Sequence, residues 1–197
     1  MGQLALSQPQ RVCVYCSSSD AVAPAYFDAA RELGAALGAR GHTLIYGGAN
    51  IGLMGALAKA ARGAGAPIVG VIPRFFDKRG LRFAGAEEII LTEDMRERKA
   101  HMERRATAFL ALPGGFGTFE ELLEVLTLKQ LGAHAKPIVL INTLGFYDSL
   151  IALFERLYAE NFAKPVYREH YHVAPNPAEA LDYLERYAPP PAMDKWF

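Results

Sequence analysis

The stretch LALPGGFGTFEELLE, residues 110–124, constrains this chain more than any other. It begins inside an apolar run, 107–112, that is long enough for one buried strand. The run breaks at Pro113-Gly114-Gly115 and again at Gly117. From Thr118 onward Glu120, Glu121, Leu122, Leu123, Val125 and Leu126 recur with helical spacing, and acids in a first turn suit the helix dipole. The spacing predicts a strand over 107–112 and a helix over 118–131. A strand, a glycine turn and a helix N-terminus together make an anion site, because free backbone N–H groups point outward and glycine admits a phosphate close to the chain. Thr118 either caps that helix with its hydroxyl or meets the anion itself. Glu121 lies one helical turn beyond Thr118 and shares a face with it. Two readings are open for the carboxylates: chemistry on whatever the phosphate carries, or plain service to the helix dipole on a solvated face.

The rest of the chain supplies the fold for such a turn. Apolar strands are expected at 11–16, 43–46, 67–72, 88–91, 138–142 and 171–174. Helical stretches fall between them at 26–40, to about Arg62, 93–105 with Thr92 as cap, 147–161 and 177–187. Segment 74–85 reads as a basic, irregular and mobile connection. Strands that are continuously apolar and alternate with helices predict an α/β fold, a Rossmann-like doubly wound parallel sheet with helices on both faces. With 197 residues the chain suits a single domain over 11–188, after a flexible segment 1–10 and before a proline-rich tail 189–197, whose Trp196 and Phe197 are placed to dock on a partner surface. Ligands of such sheets bind beyond the carboxyl ends of the strands. Four turns fall there: serines 17–19, glycines 47–55, the 73–85 segment and glycines 114–117.

Composition narrows the ligand. Formal net charge is zero, which argues for neither nucleic acid nor an anionic membrane as partner. No apolar stretch reaches spanning length and the first ten residues lack a signal-peptide pattern, so a cytoplasmic protein is expected. Cys13 and Cys16 form C-x-x-C inside a strand, where residues three apart point to opposite faces; buried thiols are expected rather than a redox pair. His170 and His172 would share a strand face, but no third ligand stands at useful spacing, so no metal site is expected. Serines replace G-x-G-x-x-G in the first turn and no acid ends the second strand, which disfavours NAD and FAD; no P-loop motif is present. A single phosphate on a mononucleotide or sugar suits the glycine turns. On the 93–105 helix, Lys99 stands between Met95 and Met102 at spacing four and three, and Arg98 adjoins it. Either this is an ion-paired surface face, or the cation in an apolar stripe and the forked guanidinium bind a phosphate or carboxylate.

These residues match a family pattern. PGGFGTFEE at 113–121 with MRERK at 95–99 resembles the LOG (Lonely Guy) family, whose paired motifs read PGGxGTxxE and M-x-x-RK. CVYCSSS at 13–19, YGGANIGLMG at 46–55 and GVIPRFF at 70–76 extend the resemblance to nearly the whole chain. It implies a cytokinin riboside 5′-monophosphate phosphoribohydrolase, which cleaves the N-glycosidic bond of AMP or N6-modified AMP and needs no cofactor or metal. The alternative on the same fold is a non-catalytic nucleotide or cofactor carrier, which has no need of a catalytic pair. By resemblance Arg98 and Glu121 are the catalytic pair, and Gly114, Gly115, Gly117 and Thr118 hold the 5′-phosphate. Lys99, Glu120 and Thr127 complete the substrate contacts, with Met95, Phe116 and Phe119 beside them and Ser18, Gly48 and Asn50 from the first two turns. The family's usual GGGS reads Gly47-Gly48-Ala49-Asn50 here, and a loop glutamate of plant members is replaced by Gly80, leaving Glu87 or Glu88 to substitute. The resemblance also implies a homodimer or larger assembly. An older label for some members, lysine decarboxylase, finds no pyridoxal-binding feature in this sequence.

Overall fold

The computed structural model describes residues 8–189. Most of the expected flexible segment 1–10, and the tail from residue 190 with Trp196 and Phe197, lie outside the described residues. Seven strands form one sheet: β1 (Arg11–Tyr15), β2 (Thr43–Tyr46), β3 (Ile68–Pro73), β4 (Glu88–Thr92), β5 (Ala108–Ala111), β6 (Ile138–Ile141) and β7 (His172–Ala174). Their order is β4-β3-β2-β1-β5-β6-β7, and every pairing is parallel. The connecting helices are α1 (Pro24–Ala39), α2 (Gly52–Gly63), α3 (Arg74–Asp77), α4 (Met95–Arg105), α5 (Phe116–Gln130), α6 (Asp148–Ala159) and α7 (Pro177–Arg186). This is the expected doubly wound sheet. The chain winds outward from β1 to β4, then crosses back to place β5 on the other side of β1. That reversal opens a crevice beyond the carboxyl ends of β1 and β5.

Period-two alternation in the strands feeds two cores. Val12, Val14, Leu44, Tyr46 and Leu110 pack with Leu33 and Leu37 of α1, Leu53 and Leu57 of α2, and Leu181 of α7. Cys13, Tyr15, Ile45, Phe109 and Leu140 face the other way, onto Met102 of α4 and Leu122 and Val125 of α5. The sheet is therefore covered on both faces, which is why its strands read as unbroken apolar runs. Cys13 and Cys16 are free and belong to opposite cores, as the strand period requires, and burial pushes both thiols well up.

Four local expectations are corrected. Helix α5 begins at Phe116, not Thr118; its N-cap is Gly115 with no side-chain hydrogen bond, so Thr118 sits inside the first turn and does not cap it. The cap of α4 is Asp94, whose Oδ1 accepts from Glu97 N at 2.8 Å, while Thr92 donates its hydroxyl to Asp94 O; the carboxylate is the stronger acceptor and stands one residue before the helix. Segment 74–85 holds the short α3 and is tied to the β2–α2 turn by Asn50 N–Leu81 O at 2.7 Å and Phe83 N–Gly48 O at 2.9 Å. His170 ends a 3-10 turn and only His172 enters β7, where its ring stacks on Tyr183 at 4.1 Å.

Candidate active site

A cleft of about 460 Å³ opens at the carboxyl ends of β1, β2, β3 and β5, where the order of strands reverses. Its floor is made by two charged side chains that the sheet brings together from different helices. Arg98 projects from the first turn of α4 and Glu121 from the second turn of α5. Both are buried, at 8% and 7% exposure. Arg98 Nη1 donates to Glu121 Oε1 at 2.6 Å, and Arg98 Nε donates to the Val71 carbonyl of β3 at 3.1 Å. The guanidinium is thus held at two points, a planar fork between a strand end and a carboxylate. Burial pushes the Glu121 carboxyl above the ordinary carboxylate range; Arg98 pulls it back, Glu120 adds to the rise and Lys99 opposes it. Breaking such a buried pair by deleting one partner costs about 3–5 kcal/mol, since the remaining charge stays desolvated.

The β5–α5 turn forms one wall. Gly115, Phe116, Gly117 and Thr118 all line the cleft. A Cβ added at Gly115 or Gly117 would meet nothing within 4 Å, so these positions face open space. The first N–H groups of α5 lack intrahelical acceptors, and the positive end of the helix dipole lies at this edge of the cleft. Gly114 has a different duty: a Cβ there would lie 2.1 Å from Thr118 Oγ1, so glycine makes room for the threonine side chain. Helix α5 is fixed against the sheet through Phe119, which packs on Phe146 and Tyr147, while Tyr147 OH donates to Leu112 O at 2.8 Å.

The serine turn after β1 joins the loops together. Ser17 N donates to Pro113 O, Ser17 O accepts from Leu53 N, and Ser17 Oγ accepts from Ser19 N. Ser18 lines the cleft between the two glycine turns. The remaining wall is apolar: Met54, Ile72, Phe76, Leu81 and Met95.

Of the residues proposed from sequence, the cleft collects Ser18, Met95, Arg98, Gly115, Phe116, Gly117, Thr118 and Glu121. Lys99 stands outside it, with Nζ bonded to Glu120 and, at 2.9 Å, to Glu124; burial disfavours its charge, but these two partners prevail and raise its pKa. Its place between two methionines therefore reflects an ion pair with α5. Gly48 approaches Gly70 rather than the cleft, and Asn50 opens onto a separate groove between α1 and α2. Thr127 donates its hydroxyl to Leu123 O at 2.7 Å and faces another small cavity beside Tyr158, Tyr167 and Tyr171. Glu87 bonds to Arg62 and to Ile68 N, and Glu88 to Arg105; neither lines the cleft. Ser17, Gly47, Met54, Ile72, Phe76 and Leu81 also line the cleft and were not named as site residues from sequence. All but Leu81 lie within motifs that carry the family resemblance, so the motifs marked the loops without marking which of their residues reach the cleft.

No group of three or more His, Cys, Asp or Glu side chains suited to a metal occurs among the described residues, and no helix among them is long and apolar enough to cross a membrane.

Comparison with known proteins agrees with this geometry. Residues 54–184 match the family model described as "possible lysine decarboxylase". The chain is 44% identical over 183 residues to a probable cytokinin riboside 5′-monophosphate phosphoribohydrolase of Oryza sativa subsp. japonica, covering 93% of this chain and 73% of that protein. It is 43% identical over 183 residues to the cytokinin riboside 5′-monophosphate phosphoribohydrolase LOG2 of Arabidopsis thaliana, covering 93% and 86%. Among solved structures, the Moco carrier protein of Chlamydomonas reinhardtii superposes with a TM-score of 0.70 at 24% identity, covering 91% of this chain and 97% of that one, which shows a shared fold. With the two motifs meeting in one cleft and relatives of this similarity along nearly its whole length, the chain belongs to the LOG family, that of the cytokinin riboside 5′-monophosphate phosphoribohydrolases.

Proposed function

We propose that this protein hydrolyses the N-glycosidic bond of adenosine 5′-monophosphate or its N6-modified forms, giving free base and ribose 5-phosphate. The observation that carries this reading is the buried Arg98–Glu121 pair beside the open N-terminus of α5. The helix terminus and the Gly115–Thr118 backbone suit a phosphate. Breaking the bond from the sugar C1′ to the base develops oxocarbenium charge on the ribose. Glu121 stabilises that charge and takes a proton from the attacking water; the base leaves with the bonding electrons and takes a proton from solvent, which Glu121 replaces as it reionises. Arg98 holds the carboxylate in its ionised form and fixes its direction. Ser18, Met95, Phe116 and Thr118 contact the substrate directly, whereas Gly114, Lys99, Glu120 and Phe119 act by fixing α5. Gly48, Asn50 and Thr127 lie outside the cleft and have no part in this reading. The protein works in the cytoplasm, where free buried thiols persist. It works as a homodimer or larger assembly, for which exposed Leu123, Leu131 and Phe162 provide apolar surface.

A decarboxylase built on pyridoxal phosphate needs a lysine for the Schiff base, and no lysine lines this cleft. The residues present do not fit that cofactor. Product chromatography after incubation with AMP and with N6-isopentenyl-AMP tests the hydrolase. Free base from either substrate is expected. Binding of both without any base released would replace this reading with a carrier.

A further inference from the structure

We propose that Gly47 is a positioning residue for the reaction: its missing side chain is the slot that admits the Arg98 guanidinium to Glu121. This rests on the hydrolase reading above and adds to it a residue outside both family motifs.

Gly47 follows β2 directly and lines the cleft. A Cβ built there would lie 2.1 Å from Arg98 Nη2, 3.3 Å from Arg98 Cζ and 3.0 Å from Met54 Sδ. Met54 can swing aside, being unbranched and bordering the open cleft. Arg98 cannot. Its Nε is bonded to Val71 O and its Nη1 to Glu121, so a methyl at position 47 must break one of those bonds. Backbone freedom does not explain the glycine, because left-handed φ values occur at Gly48 (75°) and Gly52 (54°) but not at Gly47. The requirement is for volume, and the group that fills the volume is the guanidinium.

The consequence falls on Glu121. The charged groups acting on it are Arg98 and Lys99 from α4 and Glu120 beside it on α5; Cys13, Tyr15 and Cys16 of the β1 segment also feel its charge. Arg98 is the strongest influence opposing burial. With the guanidinium displaced, burial and Glu120 act with less opposition, and the carboxyl holds its proton to higher pH. The active form is the carboxylate, so the acid limb of kcat/KM moves upward.

The test is a cycle of Gly47→Ala, Arg98→Lys and the double variant, read by thermal melting and by base release across pH. Lysine has no second terminal nitrogen at the place the methyl would take. In the wild-type background, Gly47→Ala is expected to lower Tm, to reduce kcat on the order of 100-fold with KM little changed, and to shift the acid limb to higher pH. In the Arg98→Lys background the same substitution is expected to cost no further Tm. An equal Tm loss in both backgrounds would overturn the proposal, as would a Gly47→Ala enzyme with wild-type kcat and acid limb. Should Gly47→Ala fail to fold alone, folding of the double variant supports the slot, and failure of both contradicts it. Absence of base release by the wild type would sink the hydrolase reading instead, leaving the melting cycle to judge the packing.

Discussion

The molecule has two glycine-rich turns that follow a strand and open a helix, and they are used in opposite ways. In the β5–α5 turn, Gly115 and Gly117 border empty space, so the absence of side chains leaves room for something that is not protein. In the β2–α2 turn, the room is already taken by the protein itself. A Cβ at Gly47 would strike Arg98, one at Gly52 would lie 2.4 Å from the Ser18 carbonyl carbon, and one at Gly55 would lie 2.8 Å from that of Asn50. One turn leaves open space beside the cleft. In the other, Arg98 and the backbone of neighbouring loops fill it. A run of glycines in a sequence does not say which, since both turns offer the same composition at the same place in a βα unit.

Substitutions can break this comparison. The largest effect is expected at Glu121, which neither turn contains but both serve. Glu121→Gln should lower kcat by about 10²–10⁴-fold with nucleotide affinity retained, measured by base release and by equilibrium binding. Near-normal turnover would remove its role. Next is Gly115→Val. Its backbone, φ −89° and ψ −160°, suits any residue, so the fold should keep its Tm. The affinity for AMP should fall about tenfold or more, since losing one hydrogen bond to a charged phosphate costs about 1.5 kcal/mol or more. Unchanged affinity would take this turn out of the phosphate site. Gly52→Ala should instead act on stability, costing about 1–3 kcal/mol through its positive φ and the contact with the Ser18 backbone, read as a fall in Tm. A Tm equal to wild type would refute the packing role. The smallest effect is expected for Asn50→Ala: Asn50 opens onto the groove between α1 and α2, so base release should stay within about twofold, a change below 0.5 kcal/mol. A larger loss in kcat/KM would bring Asn50 back to the nucleotide.

The same contrast marks how far the sequence could be read. Strand and helix alternation was legible because the central strands are buried on both faces and every helix but α6 starts at glycine, proline or a capping aspartate. Arg98 and Glu121 were legible because their motifs are specific to one family and their spacing puts both in the opening turns of helices beyond the sheet. Thr92 is not the cap expected of it, because the carboxylate of Asp94 stands nearer the helix start; of the two readings open for Thr118, the cap falls to Gly115 and the place in the cleft remains. Lys99 was only half legible: a cation between two methionines demanded a partner, but the partners, Glu120 and Glu124, lie on another helix. Gly47 lies inside a quoted motif, but the motif does not say what fills the place of its side chain, which is Arg98, 51 positions along the chain. Contacts across that separation depend on the sheet order, which no local pattern contains.

The most direct test of the account is a comparison of kcat/KM for AMP and for adenosine with the wild-type protein. If the β5–α5 turn holds a phosphate and thereby sets the ribose against Glu121, adenosine should be cleaved on the order of 100-fold less efficiently, the loss of two charge-assisted hydrogen bonds at about 1.5 kcal/mol each. Equal efficiency for the two substrates would contradict it, because the open glycine turn would then contribute nothing to catalysis.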